Sequence, residues 1–204
     1  MSPIVGVLFS YLAGSIPSAY LAGRFRGVDL RKHGSGNLGA TNVVRVLGAK
    51  IGAAVFLTDL LKGFLPVYFL PRYTETLQPE LWALVYGAAA ILGHVKPIFL
   101  LGKGGGKGVA TASGVFLALA FVPMLIAEAV WIVAFYFTRY VSLASLLGAA
   151  VLPIAILFWS RDPRSPVFIA SLIIAAFVFW THRANIGRLR RGEEHRFVKK
   201  EGAT

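Results

Sequence analysis

The sequence predicts an all-α integral membrane protein, a polytopic bundle of about seven transmembrane helices. Of its 204 residues, 56% are hydrophobic and only 15% are charged, whereas a soluble domain carries about 25% charged residues. The apolar residues also fall into long runs, several of which approach the roughly 20 residues that a helix needs to cross a bilayer. The length suits one compact bundle, so residues 1–204 are predicted to form a single transmembrane domain.

Six apolar runs are visible, at 3–23, 51–70, 81–101, 109–138, 141–159 and 165–182. The first run lacks a basic start and is followed by Arg24 and Arg26, which predicts a transmembrane helix with the N-terminus outside and not a cleaved signal peptide. The fourth run is long for one crossing and holds Pro123, which favours a break near this residue into two short helices. Seven crossings place the basic C-terminal segment inside, whereas six would place it outside, against the positive-inside rule.

The net charge of +12 comes from 21 Lys and Arg residues against 9 Asp and Glu. Fifteen of the 21 lie in three polar segments, 24–50, 102–108 and 183–204, which this topology places on the cytoplasmic side. Basic residues at the ends of apolar runs indicate membrane orientation and anionic ligands, and not nucleic acid. The chain has no cysteine and only four histidines, none of them paired at a metal-binding spacing, so we expect no metal and no cofactor.

The first polar segment contains GSGNLGATNVVR at 34–45. Glycines let backbone amides approach a ligand closely, and successive inward-pointing amides form an anion-binding concavity. Arg45 adds a planar fork that suits phosphate oxygens. A phosphate-binding loop is therefore predicted, against the alternative of a flexible connection. Its other candidate residues are Gly34, Ser35, Gly36, Asn37, Thr41 and Asn42.

The second segment, GKGGGKGVATASG at 102–114, runs from a glycine-rich loop into an apolar helix that starts near Val109. Amides at a helix N-terminus attract anions, and two lysines add full charges. A Walker A loop is excluded because Leu101 and Gly108 occupy positions that need Gly and Ser or Thr. The predicted anion-binding residues are Lys103, Gly104, Gly105, Gly106, Lys107 and Gly108; the alternative is that the lysines only reach the membrane surface.

The third segment is THRANIGRLRRGEEHR at 181–196. His182, Asn185 and Arg188 recur every three residues and can share one helical face, so they are predicted to bind a ligand; a structural histidine is the alternative. Glu194 is predicted to tie to a basic loop rather than to take part in catalysis. Inside the second span, Asp59 and Lys62 stand three residues apart and are predicted to pair, because an unpaired charge in a membrane is costly.

Five motifs together resemble the bacterial acyl-phosphate:glycerol-3-phosphate acyltransferase family (PlsY type). They are GSGNLGATNVVR (34–45), GHVKPIF (93–99), KGGGKGVAT (103–111), RYVSLAS (139–145) and HRANIGRLRRGEEHR (182–196). They occur in order over nearly the whole chain. One departure is visible, because the family usually reads KGGKG where this chain has one more glycine.

The resemblance implies that an acyl-phosphate gives its fatty acyl group to the 1-hydroxyl of sn-glycerol 3-phosphate. The products are lysophosphatidic acid and phosphate, at the start of phospholipid synthesis. It implies a multi-pass protein of the bacterial inner membrane, surrounded by lipid, with its active site facing the cytoplasm; the soluble enzyme that makes acyl-phosphate is a candidate partner. Matching positions imply catalytic roles for Ser35, Lys107, His182 and Asn185, and substrate binding by Ser142.

The residue chemistry agrees with this reaction. Phosphate is a good leaving group, so charge stabilisation by Lys107 and the loop amides matters more than a general acid. Two bases remain open: His182, or the phosphate of glycerol 3-phosphate, whose second pKa is about 6. The second is favoured because no acidic residue is placed to orient His182. The main alternative function is a transporter for phosphate or organophosphate, which predicts polar groups on both faces rather than on one.

Overall fold

The computed structural model describes residues 1–197, and all of the regular structure in that range is helical. A short 3-10 turn, Ile98–Leu100, precedes the glycine-rich segment. The helices are α1 (Pro3–Ser15), α2 (Ser18–Phe25), α3 (Ala40–Leu47), α4 (Ala49–Tyr73), α5 (Pro79–Val95), α6 (Val109–Leu119), α7 (Phe121–Thr138), α8 (Val141–Ser160), α9 (Pro166–Thr181) and α10 (Arg183–Arg190).

Five stretches within residues 1–197 are helical, long and apolar enough to cross a membrane: 3–25, 49–73, 79–100, 121–138 and 141–160. A sixth is formed if α9 and α10, which are bent by 59° at their junction, count as one span. The 11-residue helix α6 is apolar but shorter than a bilayer requires. The all-helical class is therefore confirmed, with five or six candidate spans and the shorter apolar helix α6 within residues 1–197.

The fourth apolar run does break into two helices near Pro123, as predicted. α6 ends at Leu119, and Ala120 leaves the helical conformation with φ −146° and ψ 66°. Pro123 lies in the first turn of α7. A proline is tolerated there because the first amides of a helix have no intrahelical acceptor to lose.

Contacts divide the chain into two compact units, Met1–Phe121 and Val122–Thr204. We call them the N-terminal and the C-terminal unit. The single domain expected over residues 1–204 stays a prediction. In the N-terminal unit, α4 packs against α5 and α6, and α1 packs against α5.

Glycines allow the helices of the N-terminal unit to touch backbone to backbone. A Cβ atom would collide with a carbonyl group of the neighbouring helix at Gly14 and Gly93, between α1 and α5, and at Gly63 and Gly114, between α4 and α6. Small residues at such positions are how membrane helices gain packing energy without a hydrophobic driving force.

A proline interrupts the first span. Pro17 has no backbone N–H, and the chain leaves the helix between Ser15 and Ser18. At the break the carbonyl of Ile16 accepts from the amide of Ser18 at 3.0 Å, and Lys62 Nζ donates a second hydrogen bond to it at 2.9 Å. The break therefore supplies an acceptor for a lysine that is only 6% exposed.

The C-terminal unit packs α8 against α9, and α10 contacts both. Trp131 on α7 donates from its indole nitrogen to the hydroxyl of Ser145 on α8 at 3.2 Å. After α10 the chain returns to α7: the amide of Phe197 donates to the carbonyl of Arg139 at 2.9 Å, and the Phe197 ring meets Phe135 edge-on at 5.8 Å. These contacts hold the segment that carries Glu194 against the helices.

Candidate active site

The first polar segment is organised around the side chain of Asn42, which is 1% exposed. Its amide oxygen accepts from the backbone N–H of Ser35 at 2.8 Å, and its amide nitrogen donates to the carbonyls of Leu30 (3.2 Å) and His33 (3.1 Å). Gly34, at φ +62°, lies so close that a Cβ would collide with the amide oxygen. These three hydrogen bonds hold the loop in shape. The sequence predicted Asn42 as a ligand-binding group, and direct contact with a ligand stays a prediction.

The remaining candidates of this segment lie on an exposed turn and on one face of α3. Ser35 and Gly36 are exposed, and Asn37 is half-buried. Thr41 and Arg45 are one helical turn apart and share a face. The fully buried Val43 packs into a small apolar core beneath α3. The loop and the polar face of α3 thus stay at the surface while the helix is anchored from below.

The glycine-rich loop lies beside the first segment. A Cβ at Gly104 would be 3.4 Å from the side chain of Leu38 and 3.6 Å from that of Arg31. Gly108 ends the loop at φ +83° and caps α6. The two glycine-rich segments, separated by some 60 residues of sequence, are therefore neighbours within the N-terminal unit.

At each of the three consecutive glycines of this loop, the structure disfavours any larger residue. Gly104 has φ +75°, a left-handed conformation that favours glycine. A Cβ at Gly105 would collide with the carbonyl of Val95, and a Cβ at Gly106 would collide with the ring of His94. The additional glycine, compared with the usual family pattern, lies where a larger residue does not fit. Lys103 is exposed and Lys107 is half-buried.

Arg31, beside the glycine-rich loop, has its guanidinium bound to Asp29. Nε donates to one carboxylate oxygen at 2.9 Å and an NH2 group to the other at 3.0 Å. This side-chain hydrogen bonding from Arg31 lowers the pKa of Asp29 to about 2. Both groups are therefore charged at neutral pH and largely compensate each other at the edge of the loop.

The predicted pair inside the second span is confirmed, and it has further partners that the sequence did not reveal. Lys62 Nζ lies 2.7 Å from Asp59 Oδ1. The hydroxyl of Ser18 donates to the same oxygen, and Nδ1 of His94 lies 3.6 Å from it. The apolar span around Asp59 was the available signal, since a buried carboxylate needs several partners; which distant residues supply them required the fold.

In the C-terminal unit, three predicted site residues meet at one carboxylate, that of Glu194. Ser142 Oγ donates to Oε1 at 2.8 Å, and Asn185 Nδ2 donates to the same oxygen at 2.6 Å. Arg188 Nε donates to Oε2 at 2.7 Å. Glu194 thus has a tying role, and it joins the start of α8 to α10. Direct substrate contacts of Ser142, Asn185 and Arg188 stay predictions.

The charge of Glu194 is held by this network. The side chain is buried, at 8% exposure, and burial raises the pKa of its carboxyl. Hydrogen bonds from Asn185, Ser142 and Arg188 outweigh that effect and bring the pKa below its ordinary value. Glu194 is therefore an anion at neutral pH and acts as an acceptor only.

His182 stands where α9 passes into α10 and is 3% exposed. Its Nδ1 lies 2.8 Å from the carbonyl oxygen of Val178, one turn earlier. A carbonyl can only accept, so Nδ1 carries the proton and Nε2 is the acceptor nitrogen of the neutral ring. The sequence left His182 without an orienting group; a backbone carbonyl supplies it.

Within residues 1–197, no group of three His, Asp or Glu side chains is arranged to hold a metal ion. The described site chemistry consists of backbone amides, hydroxyl and amide groups, a histidine and basic side chains. These groups suit the binding of anionic oxygens and the transfer of a proton.

Comparisons with known proteins agree with this chemistry. The sequence profile of a family described as glycerol-3-phosphate acyltransferase matches residues 4–192. A glycerol-3-phosphate acyltransferase of Fusobacterium nucleatum is 46% identical over 192 residues, covering 94% of this chain and 96% of the relative. That of Aquifex aeolicus is 43% identical over 198 residues, covering 97% and 100%.

Solved structures agree as well. The crystal structure of PlsY, an integral membrane glycerol 3-phosphate acyltransferase, in its glycerol 3-phosphate form superimposes with a TM-score of 0.88 at 41% identity, covering 96% of both chains. The lysophosphatidic acid form of PlsY gives a TM-score of 0.83 at 40% identity, covering 96% of this chain and 95% of that one.

The long apolar helices and the comparisons together define an integral membrane enzyme of lipid synthesis. Within that class, the chain belongs to the glycerol-3-phosphate acyltransferase family. The activity that the family implies, acyl transfer to glycerol 3-phosphate, agrees with the resemblance found in the five sequence motifs.

Proposed function

We propose that the acyl donor of this enzyme is a fatty acyl-phosphate and that the products are 1-acylglycerol 3-phosphate and inorganic phosphate. The observation that carries the proposal is the side-by-side position of the two glycine-rich loops in the N-terminal unit. If the donor is an acyl-phosphate, the donor and glycerol 3-phosphate each carry a phosphate group. Two adjacent loops with basic side chains suit two phosphate groups better than one. Structures of PlsY bound to glycerol 3-phosphate and to lysophosphatidic acid support the acceptor and the product.

The chemistry of an acyl-phosphate fits a site with few acids and bases. The 1-hydroxyl of glycerol 3-phosphate attacks the acyl carbon, the bond from that carbon to the phosphate oxygen breaks, and phosphate leaves as an anion. Because phosphate leaves easily, the residues need to stabilise charge rather than donate a proton. Lys107 and the amides of the 104–108 loop supply that stabilisation, with Lys103 as a further positive charge. Ser35 and Arg45 hold phosphate oxygens from the first loop.

Acyltransferases of the other glycerolipid class use a His-x4-Asp pair, which this chain lacks. The residue five positions after each histidine is Leu38, Phe99, Gly187 or Lys200. A thioester donor that depends on such a pair is therefore disfavoured.

The hydroxyl proton has two candidate acceptors. Nε2 of His182 can take it directly, since the carbonyl of Val178 holds the proton of the ring on Nδ1. Alternatively, the phosphate of glycerol 3-phosphate takes it, and His182 with Asn185 only positions the alcohol. In both cases the hydrogen bond to Glu194 keeps the Asn185 side chain fixed. Ser142 and Arg188, which bind the same carboxylate, contribute to binding of glycerol 3-phosphate.

The donor assignment is tested with purified enzyme, labelled glycerol 3-phosphate and either palmitoyl-phosphate or palmitoyl-CoA. We expect lysophosphatidic acid and one equivalent of phosphate from palmitoyl-phosphate only. Product from palmitoyl-CoA alone would overturn the assignment. In liposomes, flux of labelled phosphate or glycerol 3-phosphate without any acylated product would favour the transporter alternative.

We also propose that the glycine-rich loops and the basic C-terminal segment face the cytoplasm of a bacterial inner membrane, within reach of a soluble enzyme that makes acyl-phosphate. The clustering of basic residues in these segments supports this orientation. Because the chain has no cysteine, single cysteines can be introduced at the exposed positions Lys32, Arg190 and Glu80. A membrane-impermeant thiol reagent should label Glu80→Cys in intact spheroplasts, and Lys32→Cys and Arg190→Cys only in inverted vesicles. Labelling of Lys32→Cys and Arg190→Cys from opposite sides would contradict the proposal.

A further inference from the structure

A buried charged cluster lies directly under the glycine-rich loop and is not used by the mechanism above. Asp59 is 1% exposed, Lys62 is 6% exposed and His94 is 7% exposed. Burying charged groups is expensive unless each is paired, and charges within membrane spans usually serve a function. Two opposite charges, Asp59 and Lys62, would already compensate each other, so the third member needs a separate explanation.

His94 connects this cluster to the loop. It lies in the last turn of α5, and its Nδ1 faces Asp59 Oδ1 across 3.6 Å, an electrostatic contact too long for a good hydrogen bond. The opposite ring nitrogen, Nε2, is the nearest atom to the place where a Cβ of Gly106 would stand. The imidazole therefore lies between the carboxylate of α4 and the backbone of the loop.

The loop follows the shape of this support. At Gly105 a Cβ would collide with the carbonyl groups of both Val95 and His94, so the backbone of the loop rests on the end of α5. Gly106 is buried, whereas Gly104 on the open side is exposed. Three successive glycines have many conformations to lose on ordering. A rigid surface underneath is what selects one of them.

We propose that His94, held by Asp59, is a positioning residue that fixes the 104–106 backbone so that the loop amides meet the phosphate of the acyl donor. The proposal rests on acyl-phosphate as the donor. His94 touches the loop and not the reacting atoms. Lys62 balances the charge of Asp59 and is itself anchored on the carbonyl of Ile16 at 2.9 Å, which ties the cluster to the break in the first span.

Kinetics of His94→Ala test the proposal. Loss of the support should lower kcat/KM for palmitoyl-phosphate by about 10²-fold, as misplacement of about 1 Å can, while KM for glycerol 3-phosphate stays close to wild type. His94→Gln, whose amide offers polar atoms on both sides, should restore part of the loss. His195→Gln, an exposed histidine after α10, is the matched control and should behave as wild type. A purely structural histidine would reduce the amount of active protein but leave kcat/KM for palmitoyl-phosphate, per active enzyme, unchanged, which would overturn the proposal.

A double-mutant cycle gives a second test that does not depend on His94→Ala alone. Gly106→Ala should abolish most activity, because its Cβ meets the imidazole. Combining Gly106→Ala with His94→Ala removes the clash, so the double variant should be no worse than His94→Ala. Strictly multiplicative losses would contradict a direct contact. Wild-type enzyme that fails with palmitoyl-phosphate would refute the donor assignment, whereas an active wild type with unaffected variants would refute only the role of His94.

Discussion

Glu194→Ala should destabilise the C-terminal unit by about 3 kcal/mol. The truncation leaves two buried hydrogen-bond donors, on Ser142 and Asn185, without their acceptor, and each loss costs about 1–2 kcal/mol. Arg188 loses its carboxylate as well, but its side chain is 33% exposed, so water screens that pair and the loss is below about 1 kcal/mol. For a chain of this size, about 3 kcal/mol corresponds to a fall in Tm of about 6–12 °C.

The measurement is thermal inactivation of purified enzyme in detergent, together with hydrogen exchange of the α10 amides. The neighbouring residue provides a matched control. Glu193 pairs with Arg191 at 2.8 Å, but both side chains are more than half exposed, so Glu193→Ala should change stability by less than about 1 kcal/mol. Equal losses in Glu193→Ala and Glu194→Ala would refute the assignment of the network as the stabilising feature.

The same network predicts a dependence on pH. The pKa of Glu194 in the folded protein is below its ordinary value of 4.5, so its contribution is fully present above pH 4.5 and is lost as the pH falls through the lower folded-state pKa. Glu194→Gln keeps an acceptor oxygen but has no charge to lose. The stability difference between wild type and Glu194→Gln should therefore shrink as the pH falls below about 4.5 and through the lowered folded-state pKa; a constant difference would contradict the charged role.

Three further variants test the site through steady-state kinetics. Arg45→Ala should raise KM for a phosphate substrate by at least about tenfold, through loss of a charge-assisted fork, whereas Arg24→Ala, exposed at the end of α2, should leave KM unchanged; equal effects would exclude a specific role. His182→Ala distinguishes the two bases: a general base contributes roughly 10²–10⁴-fold, so retention of more than about a tenth of kcat would favour proton transfer to the substrate phosphate. Asn42→Ala should lower kcat/KM by about 10²-fold, because loss of its hydrogen bonds displaces the loop residues that meet the substrate, and a displacement of about 1 Å has an effect of this size. Unchanged kinetics would show that the loop keeps its shape without Asn42.

The spans and the internal ion pair could be predicted from the sequence because both depend on local requirements. A bilayer demands apolar length, and a buried charge demands a partner that one helical turn can supply. A break near Pro123 was predictable because a proline disrupts a helix interior. Its exact residue was not, because a pattern of apolar residues does not show that the proline lies in the first turn after the break.

The residue types of the candidate site could be predicted from the sequence. Which of those residues hold the loops in shape, and which are exposed to a ligand, could not. Asn42 and Ser35 look equivalent in sequence as hydrogen-bonding residues, yet one is buried with three internal partners and the other is exposed. Likewise, only the folded chain shows that Glu194 gathers Ser142 and Asn185, which are 52 and 9 residues away. Whether a polar group binds a ligand or stabilises a loop depends on contacts between distant segments, and the local spacing of residues does not predict these contacts.

The crossings at Gly14, Gly93, Gly63 and Gly114 have a consequence for how substrates are admitted. Helices in contact along their main chains cannot slide past one another without opening a void that no lipid tail can fill. A fatty chain is therefore not admitted between α1 and α5 or between α4 and α6 at these crossings. The lipid-facing surface is correspondingly tolerant of exchange between one large apolar residue and another, whereas a single added methyl group at any of these four glycines would drive two helices apart.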